Sequence, residues 1–240
     1  MFYKKQIRYI CFSKTVILVY ILNIETATKN CSVSLAKDGE IVAFKELNEE
    51  GFSHAEKLHG FISDVLAEAS ITFSDLKAVA VSKGPGSYTG LRIGVSAAKG
   101  LCFALDIPLI SVNTLTSLAH SISITEGYKI PMLDARRMEV YSAVSDENNK
   151  LIEDVSATII SEDSFKEFLE KNAVYFFGDG ADKCKEILTH KNAKFIDNKF
   201  PSAKEMGKLS YLKYKIGDIE NVAYFEPFYL KDFVVITSKK

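Results

Sequence analysis

Residues 78–105, AVAVSKGPGSYTGLRIGVSAAKGLCFAL, constrain the fold more than any other stretch. The run Ala78-Val79-Ala80-Val81 is short and apolar, as a buried strand is. A glycine-proline turn follows, Lys83-Gly84-Pro85-Gly86-Ser87. The spacing then predicts a helix over Tyr88–Leu105, with Ser87 or Thr89 as its N-cap. Glycines let backbone approach a neighbour closely, and free amides at a helix start favour an anion. The order strand, glycine loop, helix is by itself a weak signal for a ligand.

The helix carries a second pattern. Gly90, Gly94 and Ala98 recur every four residues, with Ala97 beside them. Residues four apart share a face, so one stripe has almost no side chains. A mid-helix glycine costs up to about 1 kcal/mol relative to alanine, which implies a closely packed neighbour. That neighbour is either the chain's own sheet or a helix of another subunit. Leu91, Val95 and Leu101 flank the stripe and offer apolar area. Arg92 lies near the helix start, where its charge opposes the dipole, and is expected to pair with a carboxylate.

The chain has 240 residues, enough for one large domain or two small ones. Its formal net charge is −1, without a basic stripe, so it is not expected to hold RNA alone. Cys11, Cys31, Cys102 and Cys184 form no CxxC pair, in keeping with a reduced, cytoplasmic protein. Residues 1–15 read as a disordered extension or a mis-set start. Lys4, Lys5 and Arg8 precede the apolar run Val16–Leu22, which is too short to span a membrane and reads as a central strand. Asp38-Gly39 between two strand-like runs predicts a hairpin. Ser53 with Glu56 is a capping box, opening a helix with Leu58, Phe61, Ile62, Val65, Leu66 and Ala69 on one face. His54 and His59 are five apart on it, about 140° around the helix, and cannot share a metal as i, i+4 histidines do.

The remaining pattern alternates. Pro108–Val112 reads as a strand and Thr114–Ser121 as a helix capped by Asn113, with a boundary near Gly127. A strand ending at Asp134 echoes the opening, as an internal duplication would, although Arg136 and Arg137 stand where a phosphate turn needs glycine. Helices are expected from Ser161 to about Glu170, from Ala181 to Leu188, and from a Ser202/Glu205 capping box to Gly217. Tyr224, Phe225, Phe228 and Tyr229 form a late aromatic cluster, read as core or docking patch. The patterns G-x-x-x-x-G-K-[ST], G-x-S-x-G and HExxH are absent. No catalytic residue and no metal site is predicted.

GPGSYTGLRIGVSAAKGL, with HAEKL upstream and DARRMEVY downstream, resembles the TsaB (YeaZ) family. The resemblance runs from about Val19 to Phe233. It includes Ile24-Glu25-Thr26-Ala27-Thr28, Pro201-Ser202-Ala203 and Pro227-Phe228-Tyr229-Leu230-Lys231. It implies an actin-like ATPase, ribonuclease-H-like α/β fold (ASKHA) of two subdomains, residues 16–126 and 127–240, each a mixed sheet with flanking helices. It further implies a non-catalytic scaffold subunit in the formation of threonylcarbamoyladenosine in tRNA. The expected partners are a TsaD-like transferase and a TsaE-like ATPase, with a homodimer when alone and tRNA met only through the complex. The expected partner surface is His54, Leu58, Phe61 and Ile62 with Tyr88, Gly90, Leu91, Arg92, Gly94, Val95, Ala97, Ala98 and Leu101. No cofactor is required. The alternative is a nucleotide-binding kinase or ATPase of the same fold. In it Thr26, Thr28, Gly178 and Gly180 would surround ATP or ADP, at least weakly.

Overall fold

The computed structural model describes residues 18–48 and 54–231. The predicted N-terminal extension and the Ser53 cap lie outside the described residues. Five strands form the first sheet: β1 (Tyr20–Glu25), β2 (Asn30–Lys37), β3 (Glu40–Asn48), β4 (Leu76–Gly84) and β5 (Leu109–Asn113), in the order β3-β2-β1-β4-β5. β1 is central, antiparallel to β2 and parallel to β4, with Ile24 opposite both Val33 and Val81. The β2–β3 hairpin turns at Asp38-Gly39, both at positive φ, as that dipeptide predicts.

Strand periodicity splits the apolar side chains of β1 between two layers. Leu22 and Ile24 face one way, against α1 (His54–Glu68) and α2 (Tyr88–Leu105). Ile21 faces the other way, against Met206 of α5 (Met206–Ile216). Ser87 caps α2 by accepting the Gly90 amide, and Asn113 caps α3 (Thr114–Ala119) by accepting the Leu115 and Thr116 amides.

The second sheet repeats this topology. β6 (Tyr128–Asp134), β7 (Glu139–Asp146), β8 (Leu151–Ile159), β9 (Val174–Phe177) and β10 (Ala193–Ile196) run in the order β10-β9-β6-β7-β8. Its first strand is again central, with an antiparallel hairpin on one side and parallel strands on the other. The echo at Asp134 is therefore a repeat of fold, and both sheets are mixed.

Three expectations fail in detail. The chain returns to the first sheet after β10: Ala203 and Met206 join its core and Glu220 bridges to Leu109. A single cut near residue 127 therefore marks only where the second sheet starts. The expected helices near 161–170 and 181–188 shrink to α4 (Lys166–Leu169) and a 3-10 turn at Asp182–Cys184. The Ser202/Glu205 box does not form, because α5 starts at Met206 and the Ser202 hydroxyl accepts the Lys204 amide instead.

Candidate functional site

The two faces of α2 do different work. A Cβ on Gly90 would stand 2.1 Å from the Thr26 carbonyl oxygen, and one on Gly94 would stand 2.3 Å from Thr26 Oγ1. The stripe of Gly90, Gly94 and Ala98 seats the helix on the end of β1. Thr26 Oγ1 completes the contact by donating to the Gly90 carbonyl at 2.8 Å. Leu91 and Val95 are buried beside the stripe, as are Leu58 and Ile62 under α1. These seven residues are corrected from partner surface to internal core. The sequence rightly demanded a close neighbour; that neighbour is the chain's own sheet.

His54, Phe61, Tyr88, Arg92, Ala97 and Leu101 keep accessible surface. Between α1 and α2 the outer face opens a groove of about 710 Å³, lined by His59, Tyr88, Arg92, Ile93, Ala97 and Leu101 among others. Gly100 also lines this groove, and a Cβ there would meet nothing within 4 Å; a Cβ on exposed Gly60 of α1 would likewise meet nothing. Phe103, one turn beyond, is 85% exposed. Gly60, Ser96, Gly100 and Phe103 were missed because the inner glycine stripe drew the reading. The signal was present in the four-residue steps Arg92, Ser96, Gly100 and the adjacent Phe103, opposite the buried stripe.

Among the described residues Arg92 has no carboxylate partner; its guanidinium lies 4.4 Å over the Tyr88 ring. The Tyr229 ring packs on Tyr88 with centroids 4.9 Å apart. The Lys99 ammonium donates to the carbonyls of Ala223 and Phe225, tying the C-terminal segment along α2. In that late cluster Phe225 joins the first core, while Tyr224 and Phe228 stay exposed. His54 Nε2 donates to the Thr28 carbonyl at 2.7 Å, which fixes the start of α1 on the β1–β2 turn.

The residues of the nucleotide alternative are engaged in the fold itself. Thr26 is fully buried and occupied by α2, and the Thr28 hydroxyl accepts the Asn30 amide. Gly178, at φ +107°, lies so close to β6 that a Cβ would stand 2.1 Å from the Met132 carbonyl oxygen, and one on Gly180 would stand 2.7 Å from the Leu133 carbonyl carbon. Both glycines are explained by this approach. Glu25, the acidic residue of the first turn, is fully buried, and Ala27 and Ser82 donate to one of its oxygens. Burial pushes its carboxyl up to about 7. Burial and neighbouring Asp134 also raise the Asp179 carboxyl, while Lys29 lowers it. Arg136 and Arg137 are exposed at the β6–β7 turn, both at positive φ.

Among the described residues no group of three or more His, Cys, Asp or Glu side chains could hold a metal ion. No helix among them is long and apolar enough to cross a membrane.

The duplicated β3-β2-β1-β4-β5 topology and the flanking helices define an actin-like, ribonuclease-H-like α/β protein, here with an exposed helix pair on its first subdomain. Over residues 51–238 the sequence matches the model of the TsaD family, described as tRNA N6-adenosine threonylcarbamoyltransferase. It is 29% identical over 222 residues to the tRNA threonylcarbamoyladenosine biosynthesis protein TsaB of Escherichia coli strain K12, covering 89% of this chain and 95% of that one. It is 31% identical over 171 residues to TsaB of Bacillus subtilis strain 168, covering 70% and 74%. The structure of YeaZ from Pseudomonas aeruginosa superposes with a TM-score of 0.71 at 25% identity, covering 88% of this chain and all of that one. The chain belongs to the TsaB (YeaZ) family.

Proposed function

We propose that this chain is the non-catalytic scaffold subunit of a machinery that forms threonylcarbamoyladenosine in tRNA, and that it docks a TsaD-like transferase through the outer faces of α1 and α2. The names of its curated relatives support the pathway. The observation that carries the docking surface is the open groove between the two helices, with room above Gly100 and an exposed Phe103. Small residues let a partner helix approach, and an exposed aromatic and an arginine on one helix face are the composition of an interface. Arg92, stacked on Tyr88 and with no carboxylate among the described residues, offers charge to an acidic partner residue. Alone, the chain uses the same face to form a homodimer. A TsaE-like ATPase joins the assembly, tRNA is met only through it, and no cofactor is required. The complex works in the cytoplasm.

Light scattering on a size-exclusion column tests this, with the chain alone and mixed with the TsaD-like protein of the same source. The expected result is a self-associated species that converts to a one-to-one complex. Arg92→Glu and Gly100→Arg are expected to weaken both associations by about tenfold or more. Gly100 meets open space, so its variant keeps the circular dichroism of the folded chain. A chain that remains monomeric and ignores that partner overturns the reading.

A further inference from the structure

The chain has 30 lysine and arginine residues, and only four are arginines: Arg8, Arg92, Arg136 and Arg137. Every ion pair among the described residues is made by a lysine. Lysine thus serves wherever a solvated or paired charge suffices, and arginine is kept for few places. Two of the four stand side by side, Arg136 and Arg137, exposed on the β6–β7 turn. Neither guanidinium has a carboxylate partner among the described residues. Local folding does not ask for arginine there. Arg136 at φ +70° and Arg137 at φ +52° occupy the left-handed region, which glycine or asparagine takes with less strain.

The turn is nonetheless held firmly. The Ala135 amide donates to the Glu139 carbonyl at 3.1 Å, and the Glu139 amide to the Arg136 carbonyl at 3.2 Å. The Lys183 ammonium donates to the Arg137 and Glu139 carbonyls at 2.7 Å each, and also to Asp134 Oδ1. Lys231 pairs with Glu139 Oε2. Both carboxylates that flank the turn are therefore already matched by lysines, Asp134 by Lys183 and Glu139 by Lys231. What stays unmatched is a pair of adjacent guanidinium groups on a fixed backbone. The Lys231 contact also brings the C-terminal segment to the turn, and its Phe228 and Tyr229 rings are 42% and 36% exposed. Arginines beside accessible aromatic rings are the composition that meets single-stranded RNA, with guanidinium forks on phosphate oxygens and rings against bases.

We propose that the β6–β7 turn binds the phosphate backbone of an RNA strand through Arg136 and Arg137, with the exposed rings of Phe228 and Tyr229 as the adjoining stacking surface. This rests on the reading that the chain works in an assembly that modifies tRNA, and adds that the chain itself touches the RNA there. A net charge of −1 fits such a division: two fixed arginines position a strand, and the rest of the assembly supplies most of the grip. The arginine pair belongs to the second sheet and the docking groove to the helices of the first, so substitutions can separate the two surfaces.

The test is fluorescence anisotropy of a labelled tRNA transcript, titrated with the full chain alone and with the chain mixed with the TsaD-like protein, at several salt concentrations. The double variant Arg136→Gln, Arg137→Gln is compared with Lys166→Gln, Lys171→Gln. The lysine pair removes the same charge beside Phe168, which packs on Tyr128 at the opposite end of β6. The expected result is tRNA binding that weakens by about tenfold in the arginine variant, with the slope of log affinity against log salt shallower by roughly 2. The lysine variant should match the parent, and the arginine variant should keep its circular dichroism and its partner on the size-exclusion column. Four results each overturn the proposal: no tRNA binding in either state, an arginine variant with unchanged affinity and slope, an equal loss in the lysine variant, or an arginine variant that loses its partner. The last would assign the turn to an acidic protein segment. A chain that ignores the TsaD-like protein overturns the proposed docking instead, and the titration of the chain alone then decides whether the turn meets RNA.

Discussion

Replacing Glu25 by glutamine isolates the cost of holding a charge inside this fold. Glu25 ends β1 with no exposed surface. One carboxyl oxygen accepts the Ala27 amide at 2.6 Å and the Ser82 hydroxyl at 2.7 Å; the other finds no partner. Desolvation lifts the group from an ordinary 4.5 to about 7, against the pull of those hydrogen bonds. The folded value lies above the unfolded one, so the native chain holds the extra proton between them. The resulting stability is fully present below about 4.5 and is lost as pH rises through about 7. At 1.36 kcal/mol per pH unit the gap corresponds to about 3 kcal/mol. Glutamine has the same length and stays neutral, so Glu25→Gln should remove this slope. The assay is urea unfolding followed by far-ultraviolet circular dichroism, since the chain has no tryptophan, at steps from about pH 4.5 to pH 9. The two proteins should be nearly equal at the acid end. The variant should be more stable by about 3 kcal/mol at the alkaline end. Parallel pH curves would refute the reasoning, because they would mean that the carboxylate ionises as freely in the folded chain as in the unfolded one.

Gly94→Ala should destabilise the isolated chain by about 1–3 kcal/mol, because its methyl meets Thr26 Oγ1 at 2.3 Å; unchanged urea unfolding would remove the close approach as the reason for glycine there. Gly100→Ala should do the opposite, raising stability by up to about 1 kcal/mol, since its methyl enters open space and alanine is the better helix former. Cys31 and Cys102 are buried, and burial pushes their thiols up to about 11. Peptide mapping after iodoacetamide treatment should find both unmodified in the native chain and modified in urea.

The elements legible in the sequence are those that local chemistry fixes. Asp38-Gly39 names its hairpin, Ser87 and Asn113 name their caps, and the apolar runs of β1 and β4 admit little but buried strands. β8 escaped because it lies at the sheet edge with mostly exposed residues from Leu151 to Glu153 onward, so no apolar alternation marks it. β10 escaped because it has only four residues. On α2 the small-residue stripe was legible and the side that it faces was not. Periodicity shows that small residues share a stripe, but only the sheet's position tells which stripe is covered. The meeting of Asn30, Ser121 and Glu205 was invisible, since they are far apart in sequence and come together only where the chain returns to the first sheet. Glu205 was read as half of a capping box for the same reason: local spacing matched, and tertiary placement overrode it.

The two stripes of α2 belong to one design. A helix that presents a surface to a partner must hold that surface at a fixed height above its own sheet. Here the height is set from below. Gly90 and Gly94 admit the Thr26 carbonyl and hydroxyl into the helix backbone, closer than any side chain would allow, and Thr26 locks the distance by donating to the Gly90 carbonyl. Tyr229, and the Lys99 bonds to the Ala223 and Phe225 carbonyls, clamp the same helix from its flank. A helix so held can expose Arg92, Gly100 and Phe103 without needing their contacts for its own stability. This is why substitutions on the inner stripe should destabilise the chain, whereas those on the outer stripe should leave it folded.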